Sequence, residues 1–401
     1  MEKREIETLI INANIFTGNP DAPNVSDGAI AIDGRRIVAV GPESEIVKAF
    51  AGRENIDAAG GIVHPGYIDP HLHLMSVPFH SLSIDPDGTS ATQISYSSVK
   101  SETDDRSAAA FAATTALTCL KKGYTLIVEP GTLFETDAFA DTISAVGSRA
   151  MVSAPYGWDD VTLLYELMPG TMSKKLMQRA PASAKRVVDR TERELRRNRV
   201  ADALVRAFVC LYGIGSNTTE LLQDCVALAR ANGVVYSQHN GYLPEYVEAE
   251  ERYFGVTDIQ RLAKMDALGP GVSLTHMNVV RSADAEVIAS TGTNALWSPL
   301  NALHRGLHLK HRCHHPQWHK AGNTVAIVSD SAMEYPIGSA GLAALFCPVR
   351  WAIGSKRRPR STCRRSKPRK PFASTMNSAA SRRVSGPTSL SGRRRTCPKC
   401  R

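Results

Sequence analysis

The segment PGYIDPHLHL, residues 65–74, places two histidines two positions apart, directly after a proline–glycine turn and an aspartate. Side chains alternate between the two faces of a β-strand, so residues i and i+2 point the same way. His71 and His73 are therefore predicted to direct both imidazoles into one space. Such a pair serves either a structural polar network or a metal ion, and further ligands elsewhere in the chain distinguish the two.

Apolar strand-like segments alternate with helical stretches after residue 60. The first ends with the histidine pair, and seven more follow: TLIVEP (125–130), RAMVSAPYG (149–157), VRAFVCLYGIG (205–215), VVYSQHN (234–240), VSLTHMNVV (272–280), NALWSP (294–299) and TVAIVSD (324–330). Eight such units predict an α/β fold, a (β/α)8 barrel of the TIM type. Short strands joined by the turn sequence DGRR (33–36) predict a small β-domain in front of the barrel.

Five polar residues stand at or near the ends of four of these predicted strands. They are His71, His73, His239, His276 and Asp330. Active sites of such barrels lie at the carboxyl ends of the strands, so these side chains are expected to converge. Imidazole and carboxylate ligands suit one divalent metal, for which zinc is expected and ferrous iron is the alternative. Metal-activated water is then the expected nucleophile.

The motifs PGYIDPHLH, SQHN, LTHMN and VSDSA, in this order, resemble the amidohydrolase superfamily. The branch they resemble is the mononuclear one, which contains cytosine and guanine deaminases and triazine chlorohydrolases. The resemblance covers about residues 7–346. It implies a hydrolase that acts on a non-peptide carbon–nitrogen bond of a small, cyclic substrate. The fourth predicted strand ends without a lysine, so one metal is expected rather than two.

The resemblance also implies roles for particular residues. His71, His73, His239 and Asp330 are expected to bind the metal, and His276 and Asp330 are expected to be catalytic. The segment WSPLN (297–301) resembles the seventh-strand motif of the family, so two further residues are assigned to substrate binding: Asn301 and Trp297. For Trp297, packing in the core is the open alternative.

One position departs from the pattern of the resembled family. Many deaminases of this branch carry a glutamate three residues after the histidine of strand five, where it moves a proton to the substrate. This chain has Tyr242 there, and Glu245 lies out of register. The sequence therefore predicts hydrolysis at a metal but leaves deamination and other hydrolytic reactions as alternatives.

The net charge of +9 comes from the end of the chain. Residues 347–401 hold 17 Lys and Arg and no Asp or Glu, whereas residues 1–346 hold 31 basic and 39 acidic side chains. We expect a small β-domain (1–62), a hydrolase barrel (63–346) and a disordered basic tail (347–401), and our hypothesis for the tail is a frameshift or an aberrant gene model. The small domain would then be incomplete, with exposed apolar edges. Binding of nucleic acid or another acidic surface by this tail is the alternative function.

No apolar run is long enough for a membrane span, and the charged N-terminus does not resemble a signal peptide. A cytoplasmic enzyme with a small-molecule substrate is expected, and self-association stays open. Glu129 at the end of strand two is either a pocket residue or a core-edge carboxylate. A cluster around Cys313 predicts either a second metal site or, as we favour, a solvated loop and helix: His304, His308, His311, His314, His315 and His319.

Overall fold

The structure, a computed structural model, describes residues 2–77 and 101–331. The basic tail predicted for residues 347–401 and the side chains of His304 and His308 lie outside the described part. Within the described part, no helix combines the length and the apolar character that a membrane crossing requires.

A small sheet occupies the N-terminal part of the chain. Its elements are β1 (Arg4–Phe16), β2 (Asn24–Asp33), β3 (Arg36–Pro42), helix α1 (Glu43–Ala49), β4 (Phe50–Asp57) and β5 (Ile62–Val63). The strand order is β3-β2-β1-β4, and β5 pairs with β1. Strands β2 and β3 form the predicted antiparallel hairpin, in which Asp33 pairs with Arg36.

This small sheet has a buried core and an exposed apolar rim. Ile6, Leu9, Ala29 and Ala31 are buried together with Ile46 of α1. Most of the apolar side chains of β1 and β2 are therefore buried. The exposed large apolar side chains of the sheet lie near its edges and strand ends: Phe16, Ile37, Val40, Ile56 and Ile62.

Parallel strands follow, as the strand–helix alternation predicts, and they form two sheets. The first contains β6 (Tyr67–Asp69), β7 (Tyr124–Val128), β8 (Arg149–Val152) and β9 (Val205–Ala207), and the second contains β10 (Val209–Gly213), β11 (Tyr236–Asn240), β12 (Val272–His276), β13 (Asn294–Trp297) and β14 (Val325–Ile327). The fourth predicted strand is thus divided at Phe208, whose amide bonds to Val152 while that of Val209 bonds to Val235.

The first and last strands meet at one point. Leu72 and Asp330 form an isolated parallel bridge. The α/β class is confirmed and the arrangement is consistent with a TIM-type barrel, but the described strands form two sheets rather than one closed sheet.

The helices of this unit lie between its strands in sequence. They are α2 (Asp105–Lys121), α3 (Thr136–Val146), α4 (Thr162–Leu167), α5 (Lys174–Arg179), α6 (Ala184–Leu195), α7 (Thr219–Ala231), α8 (Pro244–Phe254), α9 (Asp258–Lys264), α10 (Ser282–Thr291), α11 (Pro299–His304), α12 (Leu307–Lys310) and α13 (His315–Ala321). Helix α7 is capped by Thr218, whose hydroxyl accepts a hydrogen bond from the amide of Leu221.

The histidine pair lies just beyond its strand. Strand β6 ends at Asp69 rather than at His73. Pro70 follows and has no amide hydrogen to donate to a neighbouring strand, which explains the early end. The amides of Leu72 and His73 then bond to Val128 and Asp330, so the segment stays extended between the two sheets.

Candidate metal centre

Three buried imidazoles converge at the carboxyl ends of the strands. The Nε2 atom of His73 lies 3.3 Å from Nε2 of His71 and 3.2 Å from Nε2 of His239. Among the described residues, these three form the group of ligand side chains close enough to hold a metal, with ligand atoms all within 4.8 Å. Two zinc–nitrogen bonds of ordinary length at a tetrahedral angle separate their nitrogens by about 3.3 Å. The donor set and its spacing therefore fit a divalent metal.

The outer nitrogen of each imidazole has its own partner. His239 Nδ1 lies 2.7 Å from the carbonyl oxygen of Tyr212, and His71 Nδ1 lies 3.2 Å from the Thr275 hydroxyl. A carbonyl only accepts, so the Nδ1 of His239 carries the proton and its Nε2 offers a lone pair. Partners of this kind orient the ligands of metal sites and fix their tautomers.

His73 is fixed by a longer chain of hydrogen bonds that ends at a buried glutamate. Its Nδ1 lies 3.2 Å from the Thr132 hydroxyl, and this hydroxyl donates to Glu129 Oε1 at 2.5 Å. The Glu129 carboxylate also accepts the backbone amides of Gly131 and Thr132. The Thr132 hydroxyl donates its hydrogen bond to Glu129, so its oxygen accepts a hydrogen bond from Nδ1–H of His73. The Nε2 atom of His73 then has a lone pair available for a metal. Glu129 is thus a support of His73, a role that the sequence left open.

Asp330 lies beside the imidazoles with its two oxygens in different environments. Its Oδ1 is 3.5 Å from His73 Nε2 and 4.0 Å from His71 Nε2. Its Oδ2 accepts the Asn301 amide at 2.6 Å. Asn301 lies on α11 and also donates to the Tyr242 hydroxyl at 3.3 Å. Asn301 therefore holds the carboxylate so that Oδ1 faces His71 and His73.

His276 stands next to this cluster in an unusual backbone conformation. Its φ is +75°, in the left-handed region, and Asp330 has a φ of +59°. The His276 ring lies between Tyr242, at 4.3 Å between centroids, and His239, at 5.5 Å. Its buried Nδ1 has no hydrogen-bond partner within residues 2–77 and 101–331. Left-handed residues of this kind cluster at functional sites.

Burial sets the protonation of this region. Desolvation and the neighbouring His239 and Arg305 lower the pKa of His276 well below its usual value, so its ring is neutral. Burial raises the pKa of the Tyr242 phenol to about 12, so that side chain also stays neutral. Burial raises the pKa of Asp69 to about 6, although the backbone amides of His71 and Ser329 donate to its carboxylate.

A close backbone approach positions His239. Gly213 ends β10 opposite His239 with a φ of +74°, and a Cβ there would lie 2.2 Å from the carbonyl oxygen of His239. Only glycine lacks that atom, so residue 213 is restricted to glycine by both the space and the dihedral angle. Gly213 belongs to the predicted strand VRAFVCLYGIG, but the sequence alone does not predict its contact with His239.

Two predictions outside the cluster have different outcomes. Trp297, assigned to substrate binding, is buried, and one face of its ring stacks on His315 at 4.8 Å. Its role toward a substrate stays a prediction.

The expectation of a solvated histidine cluster is wrong for two of its members. His315, the first residue of α13, and His314, the residue before it, are buried, whereas His319 is exposed. The sequence contains a signal for the burial of His315, because His315 and Trp318 are one helical turn apart and share the inward face of the helix.

Fold and site together define an α/β protein with a candidate metal centre at the carboxyl ends of its strands. Residues 62–364 match the Amidohydrolase family, and the chain belongs to this family. The resemblance predicted from the motifs is confirmed. The match begins at residue 62 and ends at residue 364, whereas the motifs placed the resemblance at about residues 7–346.

Several proteins of known name are similar to this chain. The 5'-deoxyadenosine deaminase of Methanococcoides burtonii is 22% identical over 74% of this chain, which spans 63% of that protein. The imidazolonepropionase of Geobacillus kaustophilus is 49% identical over 13% of each chain. The chain thus spans less than two thirds of the length of these curated relatives.

Solved structures with the same fold include two that contain zinc. One is an atrazine chlorohydrolase of Arthrobacter aurescens complexed with zinc and atraton, with a TM-score of 0.69 and 20% identity over 85% of this chain and 76% of that one. The other is an adenosine deaminase of Xanthomonas campestris with bound zinc, with a TM-score of 0.69 and 18% identity over 88% of this chain and 76% of that one.

Proposed function

We propose that this chain is a metal-dependent hydrolase that acts on a non-peptide carbon–nitrogen bond of a small cyclic substrate. The observation that carries the proposal is the set of three imidazole nitrogens at 3.2–3.3 Å, each ring anchored through its other nitrogen. A purely structural histidine pair would not need a third imidazole and a carboxylate aimed at the same point.

The proposed ligands are His71, His73, His239 and Asp330, and zinc is the proposed metal. When bound, the metal lowers the pKa of a water molecule to about 7 and so supplies a nucleophile at neutral pH. Support for this assignment comes from the Asp330 oxygen at 3.5 Å from His73 Nε2 and from the zinc in two structures of the same fold.

Proton transfer is assigned to two side chains beside the ligands. Asp330 accepts the proton of the attacking water through Oδ1, because Asn301 engages Oδ2. His276 is neutral and presents a buried Nδ1 without a partner in the described part of the chain. It is suited to accept or donate a hydrogen bond as the water oxygen adds to the substrate carbon. The proton held by Asp330 then passes to the departing nitrogen.

Tyr242 gives this centre a different polar group from the expected carboxylate. Its hydroxyl contacts Asn301, and its ring covers His276. A phenol with a pKa of about 12 donates a hydrogen bond at neutral pH without giving up its proton. This difference is the reason to propose carbon–nitrogen hydrolysis in general and to treat deamination as one reaction within it.

The names of the relatives supply the compounds to test. They include a deoxyadenosine deaminase, an imidazolonepropionase and a triazine hydrolase. We propose a nitrogen-containing ring as the substrate class. The first experiment incubates metal-stripped protein, reconstituted with zinc or ferrous iron, with adenine nucleosides, aminopyrimidines, imidazolones and s-triazines. Ammonia release and loss of the ring absorbance are both recorded.

We expect about one equivalent of metal per chain and turnover that a chelator abolishes and added metal restores. The matched control carries His71→Ala together with His73→Ala, which removes two ligands from one segment. Failure of wild-type protein to retain either metal after reconstitution, with no change in any compound, would contradict the proposal.

A further inference from the structure

A second buried histidine touches the backbone of His276. His315 begins helix α13, and its Nε2 lies 3.0 Å from the carbonyl oxygen of His276. His315 is 1% exposed, so this contact is shielded from water. The two residues are 39 positions apart in the chain, and no spacing in the sequence predicts their contact.

The partners of His315 determine its tautomer. A carbonyl oxygen only accepts, so Nε2 must carry the hydrogen that it donates to His276. Nδ1 then holds a lone pair, and it lies 3.4 Å from the sulfur of Cys313, a weak donor. Burial lowers the pKa of His315 to about 3, so the ring is neutral. Both ring nitrogens are therefore occupied by the surrounding protein rather than by solvent.

Two tryptophans hold the ring of His315 in place. Trp297 stacks on it at 4.8 Å between centroids with 14° between planes, and Trp318 meets it at 5.1 Å in an edge-on arrangement. Trp318 is fixed in turn through its indole N–H, which donates to the carbonyl oxygen of Ala285. Packing on both sides restricts the imidazole to the orientation that reaches His276.

The carbonyl that His315 binds belongs to a strained turn. His276 and Met277 have φ values of +75° and +52°, so strand β12 ends in two successive left-handed residues, neither of them glycine. Such a conformation persists only where the surroundings fix it. The amide of Met277 bonds to Asn240, which fixes the turn from the side of β11. His315, on α13, provides a second contact, with the carbonyl oxygen of His276.

We propose that His315 is a positioning residue, which holds the backbone of His276 in its left-handed conformation and thereby keeps the His276 ring beside the three-histidine cluster. The inference rests on the proposed function, in which His276 assists the attack of water. His315 itself touches neither the ligands His71 and His73 nor the space between them in the described contacts.

The first test examines wild-type protein and needs no substrate. Nitrogen-15 labelling of the histidines and long-range proton–nitrogen spectra report the tautomer of each ring. We expect a neutral His315 with hydrogen on Nε2, whose signal persists because the site is buried. A ring with hydrogen on Nδ1, or a doubly protonated ring at neutral pH, would overturn the proposal, since neither is compatible with a neutral Nε2–H donated to the carbonyl.

The second test compares two substitutions of His315. In His315→Gln the side-chain amide places an N–H close to the position of Nε2, whereas His315→Leu removes the donor. We expect the ring signals of His276 to shift in the leucine variant and to stay near wild type in the glutamine variant. His319→Leu, on the exposed face of the same helix, is the matched control and should leave these signals unchanged.

Kinetics separate positioning from a general loss of structure. With the compound that wild type turns over, His315→Leu should lower kcat about tenfold to a hundredfold, as expected for a misplaced catalytic group, with metal content retained. Glutamine should restore most of this loss. A leucine variant with wild-type kcat and unmoved His276 signals would refute the inference. Absence of turnover by wild type would refute the proposed function alone, because the spectra still decide the role of His315.

Discussion

Replacement of Thr132 by valine tests the hydrogen-bond chain that supports His73. Valine has nearly the shape of threonine but has no hydroxyl. In wild type this hydroxyl donates to Glu129 Oε1 at 2.5 Å and faces His73 Nδ1 at 3.2 Å. Glu129 keeps the backbone amides of Gly131 and Thr132 in the variant. The main loss therefore falls on His73.

The cost depends on whether a metal is bound. A metal on His73 Nε2 requires the proton on Nδ1, which in the variant faces a methyl group. A buried donor left without a partner costs about 1–3 kcal/mol. Without metal the proton can move to Nε2, which has imidazole nitrogens of His71 and His239 at 3.3 and 3.2 Å. Since only the bound state carries the penalty, metal affinity should fall about tenfold to a hundredfold, the usual effect of losing an outer partner.

The assay titrates metal-stripped protein with zinc against a chromophoric chelator at neutral pH. Thr132→Ser keeps the hydroxyl and should bind zinc within about threefold of wild type, because the serine hydroxyl still connects Glu129 to His73. Melting curves of the metal-free proteins check that all variants are folded. A folded Thr132→Val protein with wild-type zinc affinity would refute the assignment of the proton to Nδ1 and with it the role of Glu129.

Four further changes test other parts of the structure. His73→Ala should abolish metal retention, measured by elemental analysis, because it removes the central ligand; retention of stoichiometric metal would contradict the site. Tyr242→Phe should lower kcat/KM about twofold to tenfold, the value of one neutral hydrogen bond, here the contact with Asn301; an unchanged value would exclude the hydroxyl from the reaction. Burial raises the pKa of Glu250 well above its usual value, so the folded chain retains a proton that the unfolded chain releases, and this contribution to stability is lost as the pH rises above the unfolded value. Glu250→Gln should therefore gain in melting temperature relative to wild type with rising pH, and a difference independent of pH would be inconsistent with a protonated Glu250. Ile37→Lys, on the exposed edge strand β3, should raise the concentration at which the protein aggregates, measured by light scattering, without changing the metal content; unchanged aggregation would exclude this edge as its source.

The sequence contains enough information to locate the candidate ligands. His276 is the last residue of its parallel strand and His239 is the last but one of its own, and the carboxyl ends of such strands meet at one edge. The spacing of His71 and His73 predicts a shared direction, which survives although Pro70 ends the strand before them. Asp330 follows the last strand and reaches the first one through the bridge to Leu72. Side-chain periodicity and strand order are therefore enough to predict that these residues lie close together.

The supporting residues could not be predicted in the same way. The contacts of Thr132 and Glu129 depend on side-chain rotamers in a short loop. The contact of Thr275 with His71 depends on the face of β12 on which the Thr275 side chain lies. His315 was assigned to a solvated cluster because its histidine-rich surroundings are polar in composition. Only the packing of Trp297 and Trp318 shows that its ring is enclosed. Contacts between distant segments, rather than local pattern, decide these roles.

The candidate ligands also connect the first strand of the two parallel sheets with the last one. The amide of Asp330 donates to the carbonyl of His71, and the amide of His73 donates to the carbonyl of Asp330. The Asp69 carboxylate adds a bond from the amide of Ser329. The contact between the first and last strands therefore includes three of the residues that are proposed to bind the metal, His71, His73 and Asp330. An unfolded chain does not bring these residues together, so metal binding would stabilise the fold by mass action, by about 2.7 kcal/mol at a hundred times the dissociation constant. If the metal binds as proposed, contact between the first and last strands and formation of the site form one equilibrium, and a substitution that weakens either should weaken the other.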